Sequence, residues 1–219
     1  MEHSTTEKSD FIRLTSASRE ALEKLNRYAA LLVEWNQKFN LVAPSTLPNI
    51  WSRHFLDSAQ LLPFIKLHSP NLSSADLGSG AGFPGLILNI LGVSKVHLIE
   101  STGKKADFLQ TVIDELRLDA IVHRCRIEDL EEFRVDIITA RALAPMKELL
   151  PLVAPLIHKS SLCLFLKGKT VDLELTEAKK YWMFDCEKTQ SLSDASGSIL
   201  AIRNLKNNAA IHRKLPRRN

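Results

Sequence analysis

The sequence predicts an α/β fold: a Rossmann-like, mostly parallel sheet with helices on both faces, preceded by an N-terminal helical subdomain. From about residue 73 onward, short apolar runs of strand length alternate with helical stretches. Strict alternation of this kind produces a parallel sheet that is covered on both sides. A glycine-rich turn follows the first of these strands. Two amphipathic helical patterns precede every strand signal, and they predict the separate N-terminal layer.

The N-terminal subdomain is expected to span residues 1–72. Residues 1–16 are predicted to be loosely ordered. Apolar residues then recur every three or four positions over residues 18–39, which predicts one helix. A second helix is predicted over residues 46–65, because Thr46 can cap it and an apolar stripe follows at the same spacing.

The α/β domain is expected to span residues 73–205, with a basic tail over 206–219. The predicted strands are 74–77, 95–99, 120–123, 136–140 and 161–166, with two more near 183–187 and 198–204. The predicted helices are 85–91, 104–116, 145–157 and 173–181. Ligands of such sheets bind beyond the carboxyl ends of the strands, so the residues that follow each strand are the candidates for a site.

Composition narrows the class of protein. The chain has 219 residues, an apolar fraction of 45% and a net charge of +4. No apolar run reaches the roughly 20 residues of a membrane span, and the N-terminus lacks a secretory pattern, so a cytoplasmic protein without a membrane partner is expected. The three cysteines show no metal-ligand spacing, so no metal is expected. The tail residues Arg213 and Lys214 could bind phosphates or simply solubilise the chain end.

The glycine-rich turn between Asp76 and Gly85 is the strongest signal in the chain. Gly78, Gly80 and Gly82 allow the backbone to turn sharply and approach a ligand without Cβ clashes. The turn formally matches a dinucleotide fingerprint, but the carboxylate of Asp76 beside it would repel a pyrophosphate and attract a sulfonium or an ammonium. The pattern therefore favours S-adenosylmethionine over a nicotinamide dinucleotide.

Three residues after the next two strands complete the predicted donor site. Glu100 closes the second strand, where a carboxylate can accept hydrogen bonds from both ribose hydroxyls. Ile127 follows the third strand and can cover the adenine, while Glu128 can accept from its amino group. The alternatives are a solvated acid at a strand end and a simple helix cap.

With these residues placed, the chain resembles the bacterial small-subunit (16S) ribosomal RNA guanine-N7 methyltransferase family, also called glucose-inhibited division protein B. The resembling segments run in the family's order from about residue 31 to 168, and the most specific are the Arg-His-x-x-Asp-Ser block at 53–58 and the Gly-x-Gly-Ala-Gly-Phe-Pro-Gly turn. The resemblance implies a class I methyltransferase fold, S-adenosylmethionine as cofactor, and 16S ribosomal RNA or the small ribosomal subunit as partner. It also implies that the donor site is lined by Gly78, Phe83, Ile127, Glu128 and Arg141.

The implied chemistry needs no general base, because guanine N7 carries a free lone pair and no proton. Catalysis then consists of positioning, for which Arg141 and Lys167 are the candidates. Arg141 could hold the donor carboxylate, a phosphate or a guanine edge, or it could pair structurally with Asp136. No catalytic dyad is visible in the sequence. A monomer is expected.

Candidate RNA contacts lie outside the glycine turn. Arg53 and His54 stand on the second predicted helix, which could flank the cleft, although Arg53 could equally pair with Asp57 one turn away. Lys167 and Lys169 follow the fifth strand and could contact phosphates, or they could be ordinary solvated lysines. Three rivals stay open: an NAD(P)-dependent oxidoreductase, a catalytically silent RNA-binding module and a small-molecule methyltransferase.

Overall fold

The computed structural model describes residues 2–66, 72–131 and 133–208, and its centre is a sheet of seven strands. The strand order is β3-β2-β1-β4-β5-β7-β6. The first five strands in this order are parallel, while β7 is antiparallel to both β5 and β6. The strands are β1 Ser74–Leu77, β2 Val96–Ile99, β3 Ala120–His123, β4 Val135–Arg141, β5 Ile157–Lys167, β6 Trp182–Gln190 and β7 Ser198–Asn207.

Helices cover both faces of the sheet, so the predicted α/β class is confirmed. The α-helices are α1 Glu2–Thr15, α2 Arg19–Asn36, α3 Asp57–Ala59, α4 Leu62–Lys66, α5 Gly85–Ile90, α6 Gly103–Leu116, α7 Met146–Val153 and α8 Val171–Ala178. One face packs against α5 and α6, and the other against α7 and α8. Among the described residues, no helix is long and apolar enough to cross a membrane.

The N-terminal helices share a core with one face of the sheet. Helix α2 packs on α5 and α6, and its Tyr28 is fully buried between the rings of Phe55, Phe83 and Phe108. The Tyr28 hydroxyl donates a hydrogen bond to the carbonyl of Ala81 in the glycine turn. The aromatic packing removes a large apolar area from water and thereby fixes α2 against the turn.

The prediction that residues 1–16 are loosely ordered is wrong, because α1 occupies most of them. The helix is held by one side chain above all: Phe11 is fully buried, with its ring 5.3 Å from that of Trp51. The apolar surface of α1 is too sparse to produce a clear periodic signal. Its order depends on a partner more than 30 residues away, which a local pattern does not reveal.

The single helix predicted over residues 46–65 is also wrong. The chain instead forms a 3-10 helix over Pro44–Asn49, a π-helical segment over Trp51–Leu56, and then α3 and α4. Pro48 and Pro63 explain part of the interruption, because proline has no N–H to continue a helical ladder. The apolar positions are buried as predicted, but on three short pieces, since the 3-10 helix contains no buried residue.

Near residue 157 the predicted boundary between helix and strand shifts. Helix α7 ends at Val153, and a 3-10 turn over Ala154–Leu156 leads into β5, which begins at Ile157 and not at residue 161. The helix continues through Pro151 and ends two residues before Pro155, which has no N–H to extend the α-helical hydrogen bonds. The tail residues Arg213 and Lys214 lie outside the described part of the chain.

Candidate active site

A cleft lies at the carboxyl edge of β1, β2 and β4, where parallel sheets of this kind bind ligands. It consists of three adjoining cavities of about 400, 430 and 370 Å³. Arg141, the last residue of β4, and Ala142 line all three cavities. The cleft therefore has one central side chain, and the cavities are arranged around it. We call the 370 Å³ cavity the donor pocket and the 400 Å³ cavity the acceptor pocket.

The glycine turn after β1 forms the floor between the two pockets. Gly78, Gly80 and Gly82 have φ angles of +64°, +58° and +96°, which residues with a side chain rarely adopt. A Cβ atom at Gly78 would lie 2.5 Å from Cδ1 of Leu143, so a side chain there would displace Leu143 in addition to straining the backbone. Gly78 and Gly80 line the donor pocket, whereas Gly82 lies against Leu86 beneath the turn.

Asp76 does not line the cleft, and this corrects the reasoning from the sequence. Its side chain is completely buried under the turn, where the two carboxylate oxygens accept hydrogen bonds from Thr139 Oγ1 at 2.8 Å and Gly85 N at 3.1 Å. Burial raises the pKa of Asp76 to about 6, and the hydrogen bonds from Thr139 and Gly85 limit the rise. The carboxylate fixes the start of α5 against β4 instead of facing a ligand.

Glu100 forms one wall of the donor pocket and is also bonded to the turn. Its Oε2 accepts a hydrogen bond from Gly80 N at 2.8 Å, and its Oε1 accepts one from Thr102 N at 2.7 Å. A carboxylate oxygen has two lone-pair directions, so each oxygen keeps one acceptor position for a further donor. Glu100 thus holds the turn in shape and presents acceptors to the pocket at the same time.

Ile127 and Glu128 also line the donor pocket, on the 3-10 helix Ile127–Asp129 after β3. An apolar and an acidic side chain are thereby placed in the same pocket as Gly78 and Glu100. Phe83 was predicted for the same site, but the structure places it beside the acceptor pocket with only 3% of its surface exposed. The donor pocket thus brings together six of the predicted donor residues: Gly78, Gly80, Glu100, Ile127, Glu128 and Arg141.

The acceptor pocket is organised around the guanidinium of Arg141. Its Nη1 lies 3.2 Å from Asp57 Oδ2 and donates to the carbonyl of Arg53 at 3.3 Å. The guanidinium also donates to His54 Nδ1 at 3.2 Å and lies over the ring of Phe83, with Cζ 4.9 Å from its centroid. These contacts show that Arg141 does not pair with Asp136. They join β4 to the π-helical segment of the N-terminal layer.

The hydrogen bonds of His54 define its tautomer. Thr46 Oγ1 donates its single proton to the carbonyl of Ala43 at 2.7 Å, so it accepts in its 2.7 Å bond with His54 Nε2. The ring therefore carries its proton on Nε2, and Nδ1 accepts from Arg141. Burial, followed by the charges of Arg141 and Arg53, lowers the pKa of His54 to about 3. Nδ1 is the only nitrogen of the neutral ring that could accept a proton, and it is already hydrogen bonded to Arg141. The ring therefore positions Arg141 and does not act as a base.

The loop between β6 and β7 supplies a wall of the acceptor pocket that the sequence did not reveal. Ser193 Oγ donates to Asp57 Oδ1 at 2.6 Å, and Asp194 Oδ2 lies 3.3 Å from Arg53 Nη1. Arg53 therefore pairs across the cleft and not with Asp57, the helical neighbour predicted as an alternative. Asp57 could have been suspected from its place in the Arg-His-x-x-Asp-Ser block, but Ser193 and Asp194 carry no local signal.

The structure does not favour the phosphate role predicted for Lys167. Its ammonium is hydrogen bonded to the carbonyl of Ala144 and lies 2.8 Å from Glu174 Oε2, with only 8% of the side chain exposed. The lysine thus joins the end of β5 to α8. Lys169 is exposed and lies outside the lining of all three cavities.

Comparisons with known proteins identify the family of the chain. The model of the GidB family, described as rRNA small subunit methyltransferase G, matches residues 21–205. A ribosomal RNA small subunit methyltransferase G from Paramagnetospirillum magneticum is 43% identical over 92% of this chain and 97% of its own length. The protein of the same name from Rhodospirillum centenum is 48% identical over 88% of each chain.

Solved structures share the fold at low sequence identity. A ribosomal protein L11 methylase from Lactobacillus delbrueckii superposes with a TM-score of 0.56 at 16% identity, over 67% of this chain and 76% of that one. A 16S rRNA methyltransferase from T. thermophilus, solved with AdoMet and guanosine, gives a TM-score of 0.51 at 18% identity, over 68% and 43% of the two chains. At such identities the likeness establishes the methyltransferase fold alone.

Proposed function

Because the chain belongs to the rRNA small subunit methyltransferase G family, we propose that it transfers the methyl group of S-adenosylmethionine to N7 of a guanine in small-subunit (16S) ribosomal RNA. The single observation that carries the proposal is the donor pocket at the switch point of the sheet. Its lining combines the backbone of Gly78 and Gly80, the carboxylate of Glu100, and the apolar and acidic side chains of Ile127 and Glu128.

The residues of the donor pocket fit the parts of S-adenosylmethionine. Glu100 would accept from the ribose hydroxyls with its remaining lone pairs, Ile127 would cover the adenine, and Glu128 would accept from the adenine amino group. A pyrophosphate would meet the carboxylates of Glu100 and Glu128, so the same pocket disfavours a nicotinamide dinucleotide. When bound, the cofactor supplies an electrophilic methyl on a positively charged sulfur.

The acceptor pocket fits a reaction that needs no proton transfer. Guanine N7 offers a lone pair directly, and the described residues of the pocket present no histidine with a free acceptor: His54 Nδ1 is bonded to Arg141. Transfer moves a positive charge from the donor sulfur to the guanine ring. Asp57 and Asp194 line this pocket, and each is paired with an arginine of the same lining. The protein therefore contributes orientation.

Labelled S-adenosylmethionine and small ribosomal subunits that lack the modification provide the direct test. The RNA is digested to nucleosides, and the label is compared with N7-, N1- and N2-methylguanosine standards. We expect the label only in N7-methylguanosine. RNA transcribed with 7-deazaguanosine, which has a C–H in place of N7, should accept no methyl group. Label in another nucleoside, or an undiminished signal with 7-deazaguanosine, would contradict the proposal.

A binding titration distinguishes the proposed methyltransferase from an NAD(P)-dependent oxidoreductase, the rival that would use the same glycine turn. We expect S-adenosylhomocysteine to bind with micromolar affinity, and NAD and NADP to show no binding at comparable concentrations. The third rival, a small-molecule methyltransferase, should show activity that depends little on salt. Transfer to RNA should fall steeply as salt rises, because phosphate contacts release counterions.

A further inference from the structure

Lys105 is a cationic side chain that the two pockets of the cleft share. It lines both the donor pocket and the acceptor pocket, as Gly78, Gly80, Arg141 and Ala142 also do. Among these five shared residues, only Lys105 and Arg141 carry a charge at neutral pH. Lys105 therefore lies where the methyl donor and the methyl acceptor must meet.

The start of α6 determines the side of the helix on which Lys105 lies. Phe108 and Leu109, which follow it by three and four residues, are fully buried, so the three residues share one face of the helix. Lys104 has different surroundings, because it is exposed, lines neither pocket, and holds its Nζ 4.6 Å from the centroid of the Phe39 ring. The helix thus directs one of two adjacent lysines to the cleft and the other away from it.

The other cations of the acceptor pocket already have carboxylate partners. Arg141 pairs with Asp57 at 3.2 Å, and Arg53 pairs with Asp194 at 3.3 Å. Among the described residues, no carboxylate lies within ion-pair distance of the Lys105 ammonium, and none of their acceptors is hydrogen bonded to it. An anion could therefore bind this ammonium without displacing an existing ion pair.

The charges of the two pockets indicate on which side of Lys105 an anion would bind. The lining of the acceptor pocket contains three cationic side chains and two carboxylates, while the ring of His54 is neutral. One positive charge thus remains when every carboxylate is counted in full. Glu100 and Glu128 line the donor pocket but not the acceptor pocket, and their carboxylates would repel an anion there. The acceptor side of Lys105 is therefore the favourable side.

We propose that Lys105 binds a backbone phosphate of the guanine nucleotide that enters the acceptor pocket, an inference that rests on the proposed function. A lysine ammonium offers three donors on a flexible stem and binds phosphate as a point charge. Contacts of this kind position a nucleic acid without reading its sequence. Because Lys105 also lines the donor pocket, the phosphate would be held beside the methyl donor, and the guanine would be oriented toward it.

The α-carboxylate of the methyl donor is the other anion that this cleft would hold. The two sources of negative charge predict different losses when Lys105 is neutralised. A contact with the donor carboxylate would contribute to the affinity for S-adenosylhomocysteine, but not to that for 5′-methylthioadenosine, which lacks the amino-acid end. A contact with a phosphate would contribute to the affinity for RNA and to its dependence on salt.

The variants Lys105→Gln and Lys104→Gln, each in the full-length chain, test the proposal because they remove the same charge from adjacent positions. For Lys105→Gln, the affinity for protein-free small-subunit RNA should fall about fivefold at physiological salt, and the slope of log K against log salt should become shallower by roughly 1. Its affinities for S-adenosylhomocysteine and 5′-methylthioadenosine should stay unchanged. Lys104→Gln should bind RNA like the unaltered chain, and Lys105→Arg should retain most of the RNA affinity. In methyl transfer by Lys105→Gln, KM for RNA should rise with little change in kcat.

Three results would overturn the inference: equal losses of RNA affinity in Lys105→Gln and Lys104→Gln, weaker S-adenosylhomocysteine binding by Lys105→Gln with an unchanged salt slope for RNA, or an equal loss in Lys105→Arg. The second result would assign the ammonium to the donor carboxylate. Methyl transfer by the unaltered chain is measured in parallel. If it occurs while Lys105→Gln binds RNA normally, only this inference fails. If no transfer occurs but Lys105→Gln alone loses RNA affinity, the proposed function fails and the phosphate contact stands.

Discussion

The two pockets of the cleft are constructed in different ways. The donor pocket is made by the residues that directly follow β1, β2 and β3, and backbone hydrogen bonds such as Gly80 N to Glu100 hold its shape. The acceptor pocket is made by side chains from three distant segments, the π-helical stretch, the end of β4 and the β6–β7 loop, joined through Arg141 and Asp57. One pocket depends on where strands end, the other on charge pairs between segments.

Because of this difference, we expect the two pockets to tolerate amino-acid substitutions differently. Backbone geometry in the donor pocket leaves little freedom at Gly78 and Gly80, because both have positive φ angles, and a Cβ atom at Gly78 would also displace the side chain of Leu143. The acceptor pocket should tolerate changes at individual positions better, but its charged partners are coupled. The effect of a substitution at one charged residue therefore depends on whether its partners are present. Four measurements test this contrast, and we give them from the largest expected effect to the smallest.

Gly78→Ala should weaken S-adenosylhomocysteine binding by roughly 100-fold. The methyl group would meet the side chain of Leu143. In addition, the positive φ of this position would hold alanine in the left-handed conformation, which costs about 1–2 kcal/mol before the clash is relieved. Calorimetric titration measures the effect. Gly168→Ala is the matched control, because a Cβ atom at that position has no neighbour within 4 Å. An equal loss of affinity in both variants would show that the glycine turn has no particular role in binding.

Arg141→Ala and Asp57→Asn should be strongly coupled. Either change breaks the mostly buried ion pair and should lower the free energy of unfolding by about 2 kcal/mol, while the double variant should lose much less than the sum. Turnover of Arg141→Ala should fall roughly 100-fold, because the guanidinium also sets the ring of His54. Urea denaturation and single-turnover assays measure the two effects. Additive losses of stability would refute the coupling.

His54→Asn should make stability less dependent on acid. In the folded protein the pKa of His54 is lowered to about 3 from 6.5, so the unfolded chain takes up this proton first as the pH falls. The native state therefore loses stability between about pH 6.5 and 3, by at most about 1.4 kcal/mol per pH unit from this group. Denaturation at several pH values should show a smaller loss in the variant. An identical pH profile would mean that the ring is not neutral as described.

Asp76→Asn should change the pH profile in the opposite direction. Burial raises the pKa of Asp76 from 3.8 to about 6, so its protonated form contributes stability below pH 3.8 that is lost as the pH rises through 6. The variant should therefore gain stability relative to the wild type across that interval. Asp172→Asn, at an exposed carboxylate, is the control. The sign of the pH dependence would then distinguish the buried carboxylate under the glycine turn from the histidine of the acceptor pocket.

The contrast also explains what the sequence could and could not predict. Strand ends and glycine spacing are local, so the positions of Gly78, Gly80, Glu100, Ile127 and Glu128 followed from periodicity and from the rule about carboxyl ends. The direction of a side chain is not local. Spacing alone could not show that Asp76 points into the core.

Other errors have the same origin. The ammonium of Lys167 turns toward Glu174 on the following helix, a direction that the spacing of residues does not reveal. The order of α1 depends on the distant ring of Trp51. Ser193 and Asp194 enter the acceptor pocket because β7 returns antiparallel beside β5, a strand pairing that the pattern of apolar residues did not specify.

The hydroxyl of Tyr28 and the rings around it have a consequence for how this chain can be shortened. A fragment beginning after residue 66 would keep the glycine turn in its sequence but would expose Phe83, Leu86 and Phe108 to water. Such a fragment would lose several kcal/mol of burial, a sizeable part of the net stability of a domain. We therefore expect the helical layer and the sheet to melt in one transition, and a minimal catalytic version of this protein to require nearly its whole length.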